Sequence, residues 1–298
     1  MIKRTLYFGN PAYIKTSNEQ LVIELPETGE TKNSPIEDIG ILILDHQQIT
    51  ITQASLAKLL ANNTAIITCD NTHHPTGMML NLDGHTLQSQ KFKSQIEATV
   101  PLKKQLWQQT VMAKIENQAA MLAFRREENK ILLNLASSVK SGDSDNCEAQ
   151  AAAYYWKRVF PEFLEFRRER YGPPPNNLLN YGYAILRALV ARGLVASGLL
   201  PTLGIHHRNQ YNAYCLADDI MEPYRPFVDF AVYQIVRKHE KFLEMTPDMK
   251  KGLLAIPAMD VIIDGQKSPM MNAVQRTTAS LAKCFEGTGR KLLYPVMG

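Results

Sequence analysis

The 298-residue sequence has short apolar runs only, none approaching the length of a membrane span. A membrane-spanning helix needs a run of ~18 residues, so a transmembrane span is excluded as the organising feature. The four cysteines, Cys69, Cys147, Cys215 and Cys284, are far apart and form no CxxC pair. That spacing fits neither a zinc knuckle nor a disulfide framework, and buried free thiols are the expectation. Behind the two basic residues of the opening "MIKRTLYFGN" there is no apolar stretch of signal-peptide length, so the expected compartment is the cytoplasm, with no membrane partner. Internal repeats, heptad runs and low-complexity segments are also absent.

What is present is an ordinary globular composition, 45% hydrophobic and 21% charged, in a chain long enough for two domains. Charge divides unevenly along it. Residues 1–90 carry 5 Lys or Arg against 9 Asp or Glu, net −4, whereas residues 91–298 carry 28 against 20, net +8. Two differently solvated surfaces explain this split, and so does a polyanion-binding second part.

The secondary-structure signals change at the same place. Up to about residue 82 the segments "TLYF", "AYIK", "QLVIEL", "IGILIL" and "AIITCD" are short, β-rich and separated by "GNP", "PETGE" and "NNT", with one helical stretch, "QASLAKLLANN". Beyond "NLDGH" apolar residues recur at three- and four-residue spacing among good helix formers, with "YGPPPNN" as a break before a further helix. The fold expected is α+β: a small N-terminal β-rich domain over residues 1–85, a linker near residues 82–92, and a larger, mainly α-helical domain over residues 92–298.

Three places in the helical part carry possible chemistry. In "SGDSDNCEAQAAAYYWKRVF", Ser144 or Asp145 is the expected N-cap, which puts Glu148 in the first helical turn. There it suits the helix dipole whether or not it also binds a metal. In "GIHHRNQYNAYCLADDIMEPYRP", Asp218, Asp219 and Glu222 lie at i, i+1 and i+4, so like charges crowd Glu222 unless a cation offsets them. A divalent metal is one such cation, since His206 and His207 arrive nearby on a loop and imidazole with carboxylate suits Mn²⁺ or a similar ion. Helix-start acids beside a solvated glutamate are the plainer alternative. Pro223 removes a donor and disfavours helical backbone at Glu222, so a bend is expected there. The third place is "YYWKRVF", "FLEFRRERYG" and "MEPYRPF", where basic residues suit phosphates and aromatics suit unpaired bases, although aromatics at helical spacing also read as core.

Taken together and in order, "EAQAAAYYW", "NNLLNYGYAIL", "GLLPTLGIHH" and "NAYCLADDIMEPYRPFVD" resemble the CRISPR-associated spacer-acquisition integrases over nearly the whole chain. With "LWQQTVMAKIENQAAML" upstream, the wording is similar to the type II branch, which accompanies single-protein RNA-guided effectors. The resemblance implies that Glu148, His207 and Glu222 are catalytic and bind one Mg²⁺ or Mn²⁺, with Asp218 or Asp219 lining the same site. It implies a DNA endonuclease and integrase in which the 3′-hydroxyl of a captured duplex attacks a phosphodiester at the edge of a CRISPR repeat. Implied partners are double-stranded DNA, a second copy of the chain joined through the β-rich domain, a small ferredoxin-like CRISPR-associated subunit and the RNA-guided effector nuclease. A metal-dependent nuclease acting on branched DNA in repair, using the same ligands, and a non-catalytic DNA-binding scaffold are the alternatives. His206 stands where many relatives have an apolar residue. Its one-residue offset from His207 implies that the two point to opposite sides, with His206 as a packing or phosphate contact.

Overall fold

The structure is a computed structural model that describes residues 3–163, 166–239 and 244–298; Met1 and Ile2 of the opening segment and Leu164 and Glu165 of "FLEFRRERYG" lie outside the described residues. The strand-rich first part runs β1 (Arg4–Phe8), β2 (Ala12–Ser17), β3 (Gln20–Leu25), β4 (Glu30–Pro35), β5 (Ile39–Leu44), β6 (Ile49–Ile51), α1 (Gln53–Ala61), β7 (Ala65–Cys69) and β8 (Pro75–Met79). Then follow α2 (Gln88–Ile96), α3 (Val100–Phe124), α4 (Lys130–Ser138), α5 (Cys147–Val159), α6 (Asn176–Ala196), α7 (Cys215–Met221), α8 (Arg225–Lys238) and α9 (Pro247–Leu254). A hairpin of β9 (Asp260–Ile263) and β10 (Gln266–Pro269), then α10 (Met270–Phe285) and β11 (Pro295–Val296), complete the described order. The expected α+β architecture, β-rich then mainly helical, is the one observed.

Two four-stranded sheets build the first part. One has the order β1-β5-β7-β8, parallel except for β8, with Ile43 opposite Tyr7 on one side and Ile67 on the other. The other has the order β4-β3-β2-β6. Strand β5, "IGILIL", is apolar throughout because both of its faces are buried. Ile39 and Leu42 join Ile14, Leu21, Leu59 and Ile66 in the core of the strand-rich part. Ile41 and Ile43, with Ile67, belong instead to the large core formed by the helices. Period-two alternation separates Leu42 from Ile41 and Ile43, and the register shift that pairs Arg4 with Ile39 but Thr5 with Ile41 puts Ile39 on the side of Leu42.

Helix α6 runs through that large core, buried on nearly all sides, and packs against α7, α8 and α10. Close approach to α8 needs Gly182: a Cβ there would lie 2.5 Å from Val228 Cγ1. Helix α3 is the other spine. Its Asn117 donates from Nδ2 to the carbonyls of Pro223 (2.8 Å) and Pro295 (3.0 Å), while Oδ1 accepts from the Met297 amide, so the α7–α8 junction and the last strand are tied to one point.

A buried ionic knot joins the strand-rich part to the helices. Asp45, just after β5, is 1% exposed, and its Oδ2 accepts from Tyr7 Oη (2.5 Å) and Lys250 Nζ (2.7 Å) while Oδ1 lies 2.9 Å from His73 Nδ1. Burial alone would raise the Asp45 pKa, but the bonds from Lys250, Tyr7 and His73 outweigh it and hold the carboxyl below its ordinary value. Lys250→Met should cost about 3 kcal/mol in urea unfolding, because it leaves the buried carboxylate without its ammonium. Since the folded pKa is depressed, this contribution is present above the unfolded value and lost as pH falls through the folded one; Asp45→Asn should therefore flatten the loss of stability below about pH 4.

Candidate functional site

The glutamate expected in a first helical turn is there, with a different cap. Asn146 holds the N-cap position in a left-handed conformation and makes no side-chain cap bond. Asp143 supplies the carboxylate instead, accepting from the amides of Cys147 (2.8 Å) and Glu148 (3.0 Å). Ser144 and Asp145 turn outward, the latter paired with Lys140 at 2.7 Å. With its backbone clamped, Glu148 directs Oε1 to 2.6 Å from Lys114 Nζ on α3.

Glu222 reaches the same ammonium from the opposite side. Pro223 was expected to push Glu222 out of helical backbone, yet Glu222 keeps φ −51° and ψ −47°. The interruption is a 3₁₀ turn, Glu222–Tyr224, held by Asn117, and α8 starts at Arg225. Glu222 is buried, with Oε1 2.9 Å from Arg225 Nε and Oε2 2.6 Å from Lys114 Nζ. Neither contact is an aligned hydrogen bond: Glu222 Oε2 and Arg225 Nε both lack a hydrogen-bond partner, so both contacts are ionic. Burial would raise the Glu222 pKa; Arg225 and Lys114 outweigh it and keep the carboxyl below its usual range. Without such cations, unit charges ~4 Å apart at an effective dielectric near 20 would repel by about 4 kcal/mol.

The histidine loop hangs from Asp219, which is fully buried. One Asp219 oxygen accepts from the His206 amide (2.9 Å), while the other accepts from the His207 amide (3.3 Å) and lies 2.5 Å from His207 Nδ1. Gly204 permits this packing, because a Cβ there would meet the His207 carbonyl at 2.4 Å and Asp219 Oδ2 at 2.8 Å. The hydrogen bond to Asp219 raises the His207 pKa against the effect of burial, and the charges of Glu222 and Glu148 add to the rise, so His207 shares their field. His206 does pack against protein, stacked on Trp107 with centroids 4.1 Å apart and planes 4° apart. The two imidazoles are not on opposite sides, however: their centroids are 5.1 Å apart and both touch Trp107. The loop is a folded cluster rather than an extended strand.

Three acids expected to crowd one another are instead compensated separately. Asp218 turns away from Glu222 to Arg187, with Nε at 2.7 Å and Nη2 at 3.0 Å, and accepts from Asn212. Asp219 serves the histidine loop, and Glu222 faces Lys114 and Arg225. Glu148 and Glu222 are thus brought together around one ammonium, with His207 beside them on Asp219. Among the described residues, no group of three or more His, Cys, Asp or Glu is placed to hold a metal. The residues still fit a hard divalent ion in kind: two carboxylates and an imidazole are a normal donor set, Lys114 marks a cation position between the acids, and buried Glu222 Oε2 has no aligned hydrogen bond.

Lys114, Arg225 and Asp143 were not singled out from the sequence. The signal for Lys114 was available, since a charge sits at helical spacing from buried Trp107, Val111 and Gln118. Among the proposed nucleic-acid contacts, Tyr155 proves to be interior, and Trp156 and Arg168, both partly exposed, are engaged by the protein itself. Tyr155 and Tyr183 donate to Asp229, whose pKa burial pushes up to about 6 in spite of those bonds; Trp156 packs on Phe160 and Phe166, and Arg168 binds Asn176 and Asn180.

Comparison with known proteins adds to this geometry. Residues 6–254 match the family described as CRISPR associated protein Cas1. A CRISPR-associated endonuclease Cas1 of Neisseria meningitidis serogroup C (strain 8013) is 36% identical over 287 residues, which is 94% of this chain and 91% of the relative. Among solved structures, a casposase bound to integration product has a TM-score of 0.80 at 19% identity, covering 98% of this chain and 92% of that one. A chain of a Cas6-RT-Cas1–Cas2 complex has a TM-score of 0.75 at 20% identity, with coverage of 97% and 35%.

Asp219→Ala should leave the amides of His206 and His207 and the His207 ring without their acceptor. Urea unfolding is expected to show a loss of about 2–3 kcal/mol. Asp219→Asn, which keeps one acceptor oxygen, should lose roughly half as much. Equal stability of the alanine variant and the parent would mean that the loop is held elsewhere.

Proposed function

The chain belongs to the CRISPR-associated Cas1 family, and from that premise we propose that it is a metal-dependent DNA endonuclease and integrase that inserts short captured duplexes into a CRISPR array. The observation that carries this reading is the convergence of Glu148 and Glu222, 74 positions apart in sequence, on one cation position beside a histidine with a fixed ring. Glu148, Glu222 and His207 would hold Mg²⁺ or Mn²⁺, which when bound supplies charge stabilisation at the phosphodiester. The protein's own contribution is placement. Asp143 fixes the Glu148 backbone, Arg225 pairs with Glu222 Oε1, and Asp219 takes Nδ1 of His207, leaving Nε2 as the nitrogen available to the site.

The reaction is a transesterification. A bond forms between the incoming 3′-oxygen and phosphorus while the bond from phosphorus to the repeat's 3′-oxygen breaks, and the proton lost by the attacking hydroxyl is matched by the one the leaving oxygen gains. One phosphodiester replaces another, so no nucleotide triphosphate is consumed. The same site would nick DNA if water took the place of the 3′-hydroxyl.

DNA, as a captured duplex and as the repeat, is the proposed substrate, carried on the helical part with its net charge of +8. The casposase neighbour bound to integration product supports this assignment, and the Cas1–Cas2 neighbour supports a small CRISPR-associated partner subunit. We assign dimerisation to residues 1–85 and catalysis to residues 92–298, in a cytoplasmic protein that also meets the RNA-guided effector. Among the described residues, no helix is long and apolar enough to cross a membrane.

Glu148→Gln, Glu222→Gln and His207→Ala are each expected to lower Mn²⁺-dependent joining of a short duplex to an array plasmid by about 100-fold or more, with duplex affinity changed less than about threefold. His206→Ala should keep measurable joining. The reverse pattern, with position 206 essential and position 207 dispensable at saturating Mn²⁺, would overturn the assignment. In parallel, duplex affinity should fall steeply between 50 and 200 mM salt, by about tenfold or more, whatever the sequence; a flat dependence measured by fluorescence anisotropy would remove the basic track.

A further inference from the structure

Lys114 projects from the buried side of α3, and its ammonium is the point on which the two glutamates converge, 2.6 Å from each. The three side chains are little exposed, so water screens the acids poorly from one another. Glu222 divides its two oxygens. Oε1 faces the guanidinium of Arg225, itself laid over the Tyr183 ring, and Oε2 faces Lys114 without an aligned hydrogen bond. Lysine and arginine differ here in a useful way. An ammonium on a four-carbon stem is a compact charge that can withdraw, whereas a guanidinium stacked on a ring is fixed.

We infer that Lys114 is a positioning residue: an internal cation that holds Glu148 and Glu222 together before the metal arrives and gives up its place to the divalent ion. This rests on the proposed reading of Glu148 and Glu222 as metal ligands. The lysine keeps two nearly buried acids converged in the metal-free protein, and the ion must compete with it. Metal affinity is therefore weaker than the same acids would give alone, and the site is ready-formed without metal. Glu222 Oε2 and Glu148 Oε1 pass to the ion, while Arg225 keeps Glu222 Oε1 throughout.

The test uses the full-length protein and Mn²⁺ alone, with affinity from the EPR signal of free ion and melting temperature in metal-free buffer and in excess Mn²⁺. Lys114→Met should bind Mn²⁺ about tenfold more tightly than the parent, melt lower without metal, and gain more on adding it. Lys114→Arg keeps the charge, so it should restore the metal-free melting temperature without tightening Mn²⁺ binding, an outcome that loss of packing alone would not produce. Should Lys114→Met not fold without metal, Lys114→Gln serves for the same comparison. If Glu148→Gln and Glu222→Gln bind Mn²⁺ tenfold or more weakly while the lysine variants bind it no more tightly than the parent, the inference is overturned and the ligand assignment stands. If the two glutamine variants bind Mn²⁺ like the parent, the ligand assignment itself is overturned, and the inference with it.

Discussion

Burial of negative charge is the constraint around which this molecule is arranged. Asp45, Asp219, Glu222 and Asp229 are all less than a tenth exposed, and each has its own means of staying there. Asp45 takes an ammonium and a phenol, Asp219 two amides and an imidazole, Glu222 two cations, and Asp229 two tyrosine hydroxyls. Asp45 and Glu222, each beside an ammonium or a guanidinium, are held below the ordinary carboxylate range, whereas Asp229, with two hydroxyls as its hydrogen-bonding partners, is lifted by burial to about 6. The contrast shows what decides protonation in this interior: whether a full positive charge, and not merely a donor, has been folded in beside the acid.

The two spines of the helical part divide the work of holding the site. Helix α3 supplies Lys114 to the acids, Asn117 to the turn bearing Glu222, and Trp107 to the histidines, all at spacings that place them on one side of the helix. Helix α6 makes the closely packed floor, with Gly182 against α8 and Arg187 drawing Asp218 away. Rigid packing is what permits such close charges, since a loosened helix would let water and counterions replace the internal pairs.

Much of the fold was legible in the sequence, because period and turn residues are local. The runs "QLVIEL" and "IGILIL" are strands, and the change of period beyond residue 82 is the change to helices. Strand β4, "ETKNSP", was not legible: it is an exposed edge with one buried residue, so it has no alternation to show. The short strands β9, β10 and β11 were hidden for a related reason, being only two to four residues long within a helical context. At the site, Glu148, His207 and Glu222 could be named through the family resemblance, but their partners are matters of tertiary placement. Nothing local distinguishes Asp218, which pairs with Arg187, from Asp219, which anchors a loop. The left-handed Asn146 likewise hands capping to Asp143, three residues earlier.

The division of β5 between two cores has a consequence for the order in which the chain assembles on the ribosome. The strand-rich part is complete once residue 79 has emerged, and its smaller core can close at once. Ile41, Ile43 and Ile67 then face outward on the far side of the sheet until the helices of the large core arrive, among them α6, which packs on β7 and β8 from about a hundred residues later, and α10, whose Met271 lies against Gly40. For that interval the nascent protein displays a β-branched apolar surface, the kind of surface to which holdase chaperones bind and through which nascent chains on neighbouring ribosomes stick together.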